Sequence, residues 1–277
     1  MCDGVSHCPL HDDEILCDLD CPITCQCQGH AFRCTENFNV NAYIHLRFLN
    51  ASFSNLTLSN ISGIHYLIQL HMSHCYLPSI PKLDFPNLLL ADFSWSSIFN
   101  LDMSSFNQLG QLRSLILTGN PLLFITDSFP QQSIARNLNF LDLSFTGIAY
   151  YEADDFASFV NLAHLDLNFS NVSEIGNQGF KTSPRLEKLN IGNTPLESFP
   201  TNLLKNLNKL KTVYSSNHRL CCERILPHKF DSSNCHSVRD VLSSCEDLLR
   251  SDLYRLCLWF VALLAILGTV SMPVTFK

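Results

Sequence analysis

The sequence predicts an α/β repeat fold, a solenoid in which short parallel strands form a curved sheet and the convex side is irregular or 3-10. Three features lead to this prediction: a leucine pattern that recurs at a fixed period, cysteine-rich segments on both sides of it, and an uncharged apolar stretch near the C-terminus. The chain has 277 residues, of which 46% are hydrophobic and 16% charged, so we expect a sizeable core and not a disordered chain.

The recurring pattern is LxxLxLxx followed by Asn, Cys, Thr or Ser, and we count eight units. Their starts, spaced 21 to 26 residues apart, are Tyr43, Leu67, Leu88, Leu112, Leu138, Leu162, Leu186 and Leu210. A period in this range is typical of leucine-rich repeats, in which each unit contributes a short strand with an inward leucine pair. Because one unit cannot bury that pair alone, we expect the units to stack as a leucine-rich-repeat solenoid.

Two further positions of the unit support a stacked core. The nineteenth position is phenylalanine in four units, and we expect these rings to pack inside: Phe85, Phe106, Phe156 and Phe180. At the ninth position Asn120 can bond neighbouring backbone, whereas the other units carry Ala51, Cys75, Ser96, Thr146, Ser170, Thr194 and His218. This predicts an imperfect polar ladder in which Cys75 is a buried thiol.

The cysteine-rich segments are expected to cap the two apolar ends of the solenoid. Thirteen cysteines favour an oxidising compartment. We predict disulfides from Cys21, Cys25, Cys27 and Cys34 before the repeats and from Cys221, Cys222, Cys235 and Cys245 after them. The last four allow three connectivities, and the sequence does not choose among them. A zinc site at the CxC pair is a poorer alternative, because paired CxxC spacing is lacking.

Charge and motif content exclude several classes of function. A net charge of −7 and a pI near 5.8 disfavour nucleic acid or an anionic membrane surface as the main partner. The chain contains no GxGxxG, GxxxxGK[ST], GxSxG or HExxH motif, and its histidines show no catalytic spacing. We therefore expect a binding protein and not an enzyme.

Both ends of the chain suggest a longer surface protein. Residues 256–276 carry no charge and, as a helix, would be about as long as a bilayer core is thick, so we predict a transmembrane helix over 253–276. The alternative is a buried helix of a soluble domain. Residues 1–4 show no secretory signal, although the cysteines call for one, so we expect a fragment.

Four successive pieces of the chain resemble one receptor family. CDGVSHCPLHDDEILC at 2–17 is similar to the second half of an LDL-receptor class A module, and SCEDLL at 244–249 resembles the hinge of leucine-rich-repeat G-protein-coupled receptors. The relaxin-receptor-like group joins such pieces in this order. The resemblance implies five parts: a partial class A module at 1–17, an N-terminal cap at 18–42, eight repeats at 43–220, a C-terminal cap or hinge at 221–252 and a membrane helix at 253–276.

This resemblance implies a plasma-membrane receptor whose extracellular repeats capture a peptide or protein hormone. The first helix of the family usually carries Gly-Asn, whereas this chain has Gly268-Thr269 and lacks six further helices. Coupling to a G protein would therefore require a full-length form. The alternative is a single-pass adhesion or structural protein of the cell surface.

The class A resemblance also implies calcium on Asp3, Asp13 and Glu14, because hard oxygen ligands suit Ca²⁺. His7 stands where a fourth carboxylate is usual, and the first three cysteines of the module are missing. Cys2 could pair with Cys17. We expect little or no calcium binding by this chain and no other cofactor.

Side chains that alternate with the inward leucines should line the concave face. The fifth position reads Arg47, His71, Asp92, Ile116, Asp142, Asp166, Asn190 and Tyr214. Asp142 and Asp166 fall on adjacent strands, about 4.8 Å apart, where like charges repel unless they face water or a cation. We hypothesise a docking point for a cationic ligand, and the alternative is a solvated polar face.

Aromatic residues accompany these carboxylates. Trp95, Phe145 and Phe169 lie in the loops after the strands, and Phe140 takes the third position of its unit. Aromatics beside charged groups are common in peptide hot spots, although such rings can equally pack between repeats. The predicted ligand-binding residues are Asp92, Trp95, Phe140, Asp142, Phe145, Asp166 and Phe169.

Five sequons support a secretory route, at Asn50, Asn55, Asn60, Asn168 and Asn171. We expect glycans at the first three. A glycan at Asn168 would obstruct a ligand on the concave side.

Overall fold

The computed structural model describes residues 20–106, 108–126, 137–151, 159–176, 179–180, 183–200, 202–237, 245 and 256–264. Their main element is one eleven-stranded sheet, in which each strand lies beside the strand of the next repeat. All neighbouring strands are parallel except the N-terminal hairpin. The predicted leucine-rich-repeat solenoid is thereby confirmed.

In chain order the strands are β1 (Cys25–Gln28), β2 (Ala31–Cys34), β3 (Phe48–Asn50), β4 (Gln69–His71), β5 (Leu90–Asp92), β6 (Asn100–Asp102), β7 (Ser114–Ile116), β8 (Phe124–Thr126), β9 (Phe140–Asp142), β10 (Tyr150–Tyr151), β11 (His164–Asp166), β12 (Glu174–Ile175), β13 (Lys188–Ile191), β14 (Thr212–Ser215) and β15 (Cys235–Ser237). The large sheet has the order β1-β2-β3-β4-β5-β7-β9-β11-β13-β14-β15. Two short parallel pairs, β6 with β8 and β10 with β12, lie in the return segments of the repeats.

Short 3-10 helices occupy other parts of the return segments and caps: Val40–Tyr43, Leu58–Ile61, Met103–Phe106, His218–Cys221 and Ser232–Asn234. The convex side is therefore irregular and 3-10, as predicted. The paired short strands are an addition that the leucine pattern did not indicate.

The middle residue of each repeat strand points into the core. From β2 to β14 these residues form one row, each at most 2% exposed: Phe32, Leu49, Leu70, Ala91, Leu115, Leu141, Leu165, Leu189 and Val213. Burial of one such aliphatic side chain contributes about 1.5–3 kcal/mol. Because every row member contacts the next repeat, this stabilisation requires the stack.

The register of the first repeat corrects the sequence prediction by three residues. In β3, Leu49 and not Leu46 pairs with Leu70, so this repeat starts at Leu46. Its concave fifth position is therefore Asn50 and not Arg47, and its ninth position is Ser54 and not Ala51.

The phenylalanine core is confirmed where the structure describes it. Phe85, Phe106 and Phe180 are at most 1% exposed, whereas Phe156 lies outside the described residues. These rings fill the interior of the return segments, so they are core residues.

The polar ladder at the ninth position is more complete than expected. Asn120 accepts hydrogen bonds from two backbone amides and donates two to backbone carbonyls. The hydroxyls of Thr146 and Ser170 each donate to the carbonyl three residues earlier. Cys75 is buried as predicted, and this burial raises the pKa of its thiol. Hydroxyl groups thus replace asparagine in satisfying part of the buried backbone.

Disulfides close both caps. At the N-terminal end Cys21 bonds Cys27 and Cys25 bonds Cys34. At the C-terminal end the structure selects one of the three connectivities, Cys221 with Cys235 and Cys222 with Cys245. These bonds agree with an oxidising compartment. The predicted pair of Cys2 and Cys17 lies outside the described residues.

Residues 256–264 are helical, and their large apolar side chains are exposed. Within the described parts of the chain, we find no helix with the length and apolar character that a membrane crossing requires. The remainder of the predicted span, 253–255 and 265–276, lies outside those parts.

Candidate ligand-binding face

The fifth positions of the repeats form one row across the concave face. The backbone register aligns Arg33, Asn50, His71, Asp92, Ile116, Asp142, Asp166, Asn190, Tyr214 and His236. Asp142 and Asp166 are direct neighbours, as the sequence predicts. Ile116 separates Asp92 from them.

The carboxylates in this row also fix the backbone after each strand. Oδ1 of Asp92 accepts hydrogen bonds from the amide and the hydroxyl of Ser94, and Oδ1 of Asp142 does the same with Ser144. Oδ1 of Asp166 accepts from the amide two residues further on. These are Asx turns, in which the side chain starts the loop. Sequence analysis did not identify this structural role.

Asp92 is the paired member of the row. Its Oδ2 lies 3.3 Å from Nδ1 of His71 on the adjacent strand. Burial works to raise the pKa of Asp92, but hydrogen bonds from His71 and Ser94 outweigh burial and lower it. Asp92 therefore stays ionised, and its outer oxygen is paired with the His71 ring.

Asp142 is the unpaired member. Within the described residues its Oδ2 accepts no hydrogen bond and no basic side chain pairs with it. The outer oxygen of Asp166, by contrast, accepts from Nδ2 of Asn190 at 2.9 Å. Burial raises the pKa of Asp142 despite the bonds from Ser144, and the charges of Asp166 and Asp92 raise it further. Asp142 is thus the point of the row where a cation would relieve most repulsion.

Asp142→Asn is expected to stabilise the protein at neutral pH by about 0.5 kcal/mol, because the amide keeps the oxygen of the Asx turn and removes a repelled charge. A native pKa above the unfolded value means that ionisation costs stability as pH rises through that pKa. The gain should therefore disappear in acid, where the carboxyl is protonated. Urea unfolding of the unmodified chain and of Asp142→Asn at several pH values measures this difference in stability.

Asp92→Asn provides the matched control with the opposite sign. The pKa of Asp92 is lowered, so its charge adds stability above the unfolded pKa, and that contribution is lost as pH falls through the native pKa. We expect Asp92→Asn to destabilise at neutral pH. Equal effects of the two substitutions would contradict the assignment of paired and unpaired carboxylates.

The eighth position adopts a left-handed backbone in the first seven repeats, whatever the residue, whereas Asn217 in the last repeat is extended. Seven repeats share this feature, with φ between 51° and 71°: Phe53, His74, Trp95, Gly119, Phe145, Phe169 and Asn193. The amide of each of the first six donates to the carbonyl of the next repeat, as from Phe145 to Asn168 at 2.9 Å. This inter-repeat bond compensates the strain of the left-handed conformation.

Five of these side chains form what we call the aromatic ridge: Phe53, His74, Trp95, Phe145 and Phe169. Successive ring centroids lie 4.3, 6.2, 5.8 and 4.5 Å apart. Three of the four contacts are stacked, and the one between Trp95 and Phe145 is tilted by 42°. The rings are therefore packed between repeats, one of the two roles that the sequence left open.

The ridge is nevertheless exposed along its edges. Trp95, Phe145 and Phe169 are 44 to 49% exposed, and Phe53 is 73% exposed. Because stacked neighbours cover the ring faces, a ligand would meet mainly ring edges, which carry the positive end of the aromatic quadrupole. Phe140 is not part of the ridge, since it contacts His164 on the strand surface.

Gly119 makes the ridge continuous. A Cβ at this residue would overlap Cδ2 of Trp95, so the indole lies directly over the glycine and reaches towards Phe145. Phenylalanine adopts the same φ in other repeats, so the backbone conformation alone does not require glycine here. Glycine is required because the indole ring of Trp95 occupies the space of a side chain.

Gly119→Ala should lower the free energy of unfolding by about 1–2 kcal/mol and displace the indole. In a Trp259→Phe background, emission of Trp95 should shift to the red. Gly110→Ala is the matched control, because nothing lies within 4 Å of its Cβ. The loss of stability from Gly119→Ala should be smaller in a Trp95→Ala background, where the indole is absent. An equal loss in both backgrounds would contradict the contact between Gly119 and Trp95.

The predicted calcium ligands Asp3, Asp13 and Glu14 lie outside the described residues, within which no group of three or more potential ligands assembles. Of the sequons, Asn50 lies on the concave row and Asn168 next to the ridge, where its Oδ1 accepts from Asn193. Asn55, Asn60 and Asn171 are exposed.

No family model matches the chain. The chain is 30% identical to rat (Rattus norvegicus) Toll-like receptor 4 over 157 residues, which cover 55% of this chain and 18% of that receptor. It is 32% identical to human (Homo sapiens) leucine-rich repeat-containing protein 66 over 153 residues, 55% of this chain and 16% of that protein. The chain thus spans less than a fifth of the length of these relatives.

Among solved structures, the crystal structure of a TLR13–ssRNA13 complex matches with a TM-score of 0.53 and 24% identity, over 65% of this chain and 28% of that one. This match shows a common fold. The chain is therefore a leucine-rich-repeat protein with disulfide-closed caps that is similar to part of a Toll-like receptor.

Proposed function

We propose that the chain binds a cationic extracellular peptide or protein on the concave face, as part of a cell-surface receptor. The acidic part of the row supplies the charge that attracts the ligand, and the exposed edges of the aromatic ridge supply apolar contact at the ends of the same strands. Charge complementarity of this kind increases association rates and selects partners.

The observation that carries this proposal is the carboxylate of Asp142. The side chain is half-buried, its outer oxygen has no partner within the described residues, and Asp166 repels it from the next strand. A Lys or Arg side chain of a ligand would supply the missing cation and hydrogen-bond donor. Asp92, already bound to His71, would contribute less.

The finer identity that we propose is a leucine-rich-repeat G-protein-coupled receptor of the relaxin-receptor-like type, with the repeats outside the plasma membrane. The class A half-module at 1–17, the SCEDLL hinge and the uncharged run at 256–276 support it, and G-protein coupling belongs to a full-length form. The exposed apolar side chains of the helix at 256–264 favour an anchor in lipid.

A single-pass adhesion protein of the cell surface is the second candidate, because a solenoid followed by the uncharged stretch at 256–276 fits it equally. Transcript sequence beyond Gly268 distinguishes the two. Six further apolar segments would support the receptor, and a short basic tail would support adhesion.

Nucleic acid is not the ligand that we propose. The matched Toll-like receptor structure is a complex with single-stranded RNA. In this chain the aspartates would repel phosphates, and the stacked ridge leaves few ring faces for bases. Calcium binding by the class A half-module is likewise not proposed.

The test is a binding screen of the full chain in detergent against secreted peptides and proteins, followed by the triple variant Asp92→Asn, Asp142→Asn and Asp166→Asn. The amides keep the Asx turns, so the loops should be retained. We expect the triple variant to weaken binding about tenfold or more and to flatten its salt dependence.

Asp84→Asn is the matched control, because this aspartate lies outside the concave row and should not affect affinity. Unchanged affinity of the triple variant for a ligand of the wild-type chain would overturn the proposal. Preferential capture of RNA would overturn it as well.

A further inference from the structure

The sign of the surface charge reverses between β11 and β13. Residues 137–151 and 159–176, which include β11, contain three acidic residues and no Lys or Arg. Residues 183–200 and 202–215, which include β13 and β14, contain five Lys or Arg and two Glu. Four of the five basic side chains are exposed and lie shortly before these two strands or at their start: Arg185, Lys188, Lys209 and Lys211. We call these four residues the basic patch.

The acidic residue that lies within the basic patch is Glu187. The amide of Lys211 donates to the carbonyl of Glu187 at 2.7 Å, so the segments that lead into β13 and β14 are adjacent. Nζ of Lys211 also lies 2.7 Å from Oε2 of Glu187. The hydrogen bond from Lys211 lowers the pKa of Glu187, and the charges of Lys211, His164 and Lys209 lower it further. One carboxylate thus stands among several cations and does not balance them.

Arg185 and Lys209 stand where other repeats carry a structural asparagine. Both directly precede the first leucine of their repeats, as Asn87 and Asn137 do in the third and fifth repeats. The side-chain amide of each asparagine donates to a backbone carbonyl of the preceding repeat. In the last two repeats this position instead presents like charges on adjacent repeats, which repel each other. Stacking of the repeats does not account for these cations, whereas an anionic ligand would relieve their repulsion.

Lys188 is the member of the basic patch that lies on the concave face. It alternates with the buried Leu189, so it points to the same side of the sheet as the fifth-position row. Its Nζ lies 5.2 Å from the ring centroid of Tyr214, which belongs to that row. Within the described residues no acidic side chain forms an ion pair with Lys188. The ammonium group therefore contacts an aromatic ring and is open to a carboxylate from a ligand.

The two charge signs lie close enough for one ligand to span them. Asp142 is on β9 and Lys188 is on β13, two strand steps apart in the sheet. Because the two residues also differ by two positions along the strand, their Cα atoms are about 12 Å apart. A polyanion that covers the basic patch would also meet Asp166 on β11, the strand adjacent to β13. A ligand that carries both signs avoids this repulsion.

We propose that the ligand of the concave face is a peptide segment of mixed charge, in which a carboxylate three or four residues from the cationic anchor binds Lys188 and the basic patch. An extended peptide advances about 3.3–3.4 Å per residue, so three or four residues cover the separation of about 12 Å. The inference rests on the proposed function, because the cation on Asp142 sets the position of the ligand. It also sets the direction of the ligand, with its cation over β9 and β11 and its acid over β13.

The test is selection from a random library of linear peptides displayed on phage, with the full chain in detergent as the target. We expect the selected peptides to be enriched in Lys or Arg that has Asp or Glu three or four residues away. One selected peptide is then synthesised with its acidic residue and with the corresponding amide. Lys188→Gln should weaken binding of the acidic peptide about threefold to fivefold and leave binding of the amide peptide unchanged.

Lys82→Gln is the matched control, because Lys82 is exposed in a return segment, where the amide of Leu83 donates to the carbonyl of Ser105. It should change the affinity of neither peptide. Equal effects of Lys188→Gln on both peptides, or none on either, would overturn the inference. Enrichment of Lys or Arg without an acid would overturn it and leave the proposed function standing, whereas no enrichment of Lys or Arg would contradict the proposed function itself. Preferential binding of heparin or RNA at Lys188 would also overturn the inference.

Discussion

Replacing Asn120 with Ala is expected to lower the free energy of unfolding by about 4 kcal/mol, although it changes a single side chain in one of eight repeats. The side chain is 1% exposed and accepts from the amides of Ser96 and Ile98 while donating to the carbonyls of Phe93 and Leu117. Each buried backbone group left without a partner costs about 1–3 kcal/mol. Urea unfolding followed by circular dichroism measures the loss.

Asn120→Ser is the informative comparison, because serine already occupies this position at Ser96 and Ser170. Its hydroxyl can replace one donor bond, so we expect a smaller loss than with alanine. A loss below about 1 kcal/mol for Asn120→Ala would mean that the backbone finds other partners, and would contradict the assigned role.

Phe93→Ala should cost about 3–5 kcal/mol, the range for deleting a fully buried ring. Phe93 is 0% exposed at the sixth position of its repeat, where the neighbouring repeats carry Met72 and Leu117. The cavity would open at the centre of the stack, where the flanking repeats cannot close it without disrupting their own strands. Thermal and urea unfolding of the variant provide the measurement.

Phe145→Ala is the control for this second prediction. The same deletion on the aromatic ridge removes a ring that is 44% exposed, and we expect a loss below about 1.5 kcal/mol from its stacking contacts. Equal losses at Phe93 and Phe145 would contradict the distinction between the core and the ridge.

The leucine spacing predicts the fold because burial at period two decides which side of a strand faces the core. It fails at the first repeat, where Tyr43, Leu46 and Leu49 are spaced three residues apart and offer two registers. The 3-10 helix Val40–Tyr43 takes Tyr43 out of the strand, and Leu49 aligns with Leu70. The leucine periodicity alone does not distinguish these two registers.

The sequence predicts Trp95, Phe145 and Phe169 of the ridge as candidate ligand contacts, but it does not predict Phe53 or His74, nor the stacking of the five rings. A left-handed backbone at phenylalanine or tryptophan is unusual, so the sequence gives no direct sign of it at Trp95 or Phe145. The indirect sign is that Gly119 and Asn193, two residue types that tolerate this conformation, occupy the same eighth position. Aligning the repeats on that position would have revealed the ridge.

The aspartates show why a candidate site cannot be assigned by residue type alone. Asp92 and Asp142 share the same fold position and the same Asx turn, yet one is paired and the other is not. The difference is the neighbour at the fifth position on the adjacent strand, His71 for Asp92 and Asp166 for Asp142. The repeat alignment predicts these neighbours, and the structure adds the pairing itself, with Oδ2 of Asp92 lying 3.3 Å from Nδ1 of His71.

The ligand-binding face exists only because the parallel register brings the fifth positions into one row. The direct measurement is the distance between spectroscopic labels, introduced as unnatural amino acids in place of Asn50 and Asn190. These residues lie six strand steps apart in the sheet, which gives a separation of about 29 Å with a narrow distribution. A broad distribution centred well beyond that value would contradict the register and, with it, the ligand-binding face.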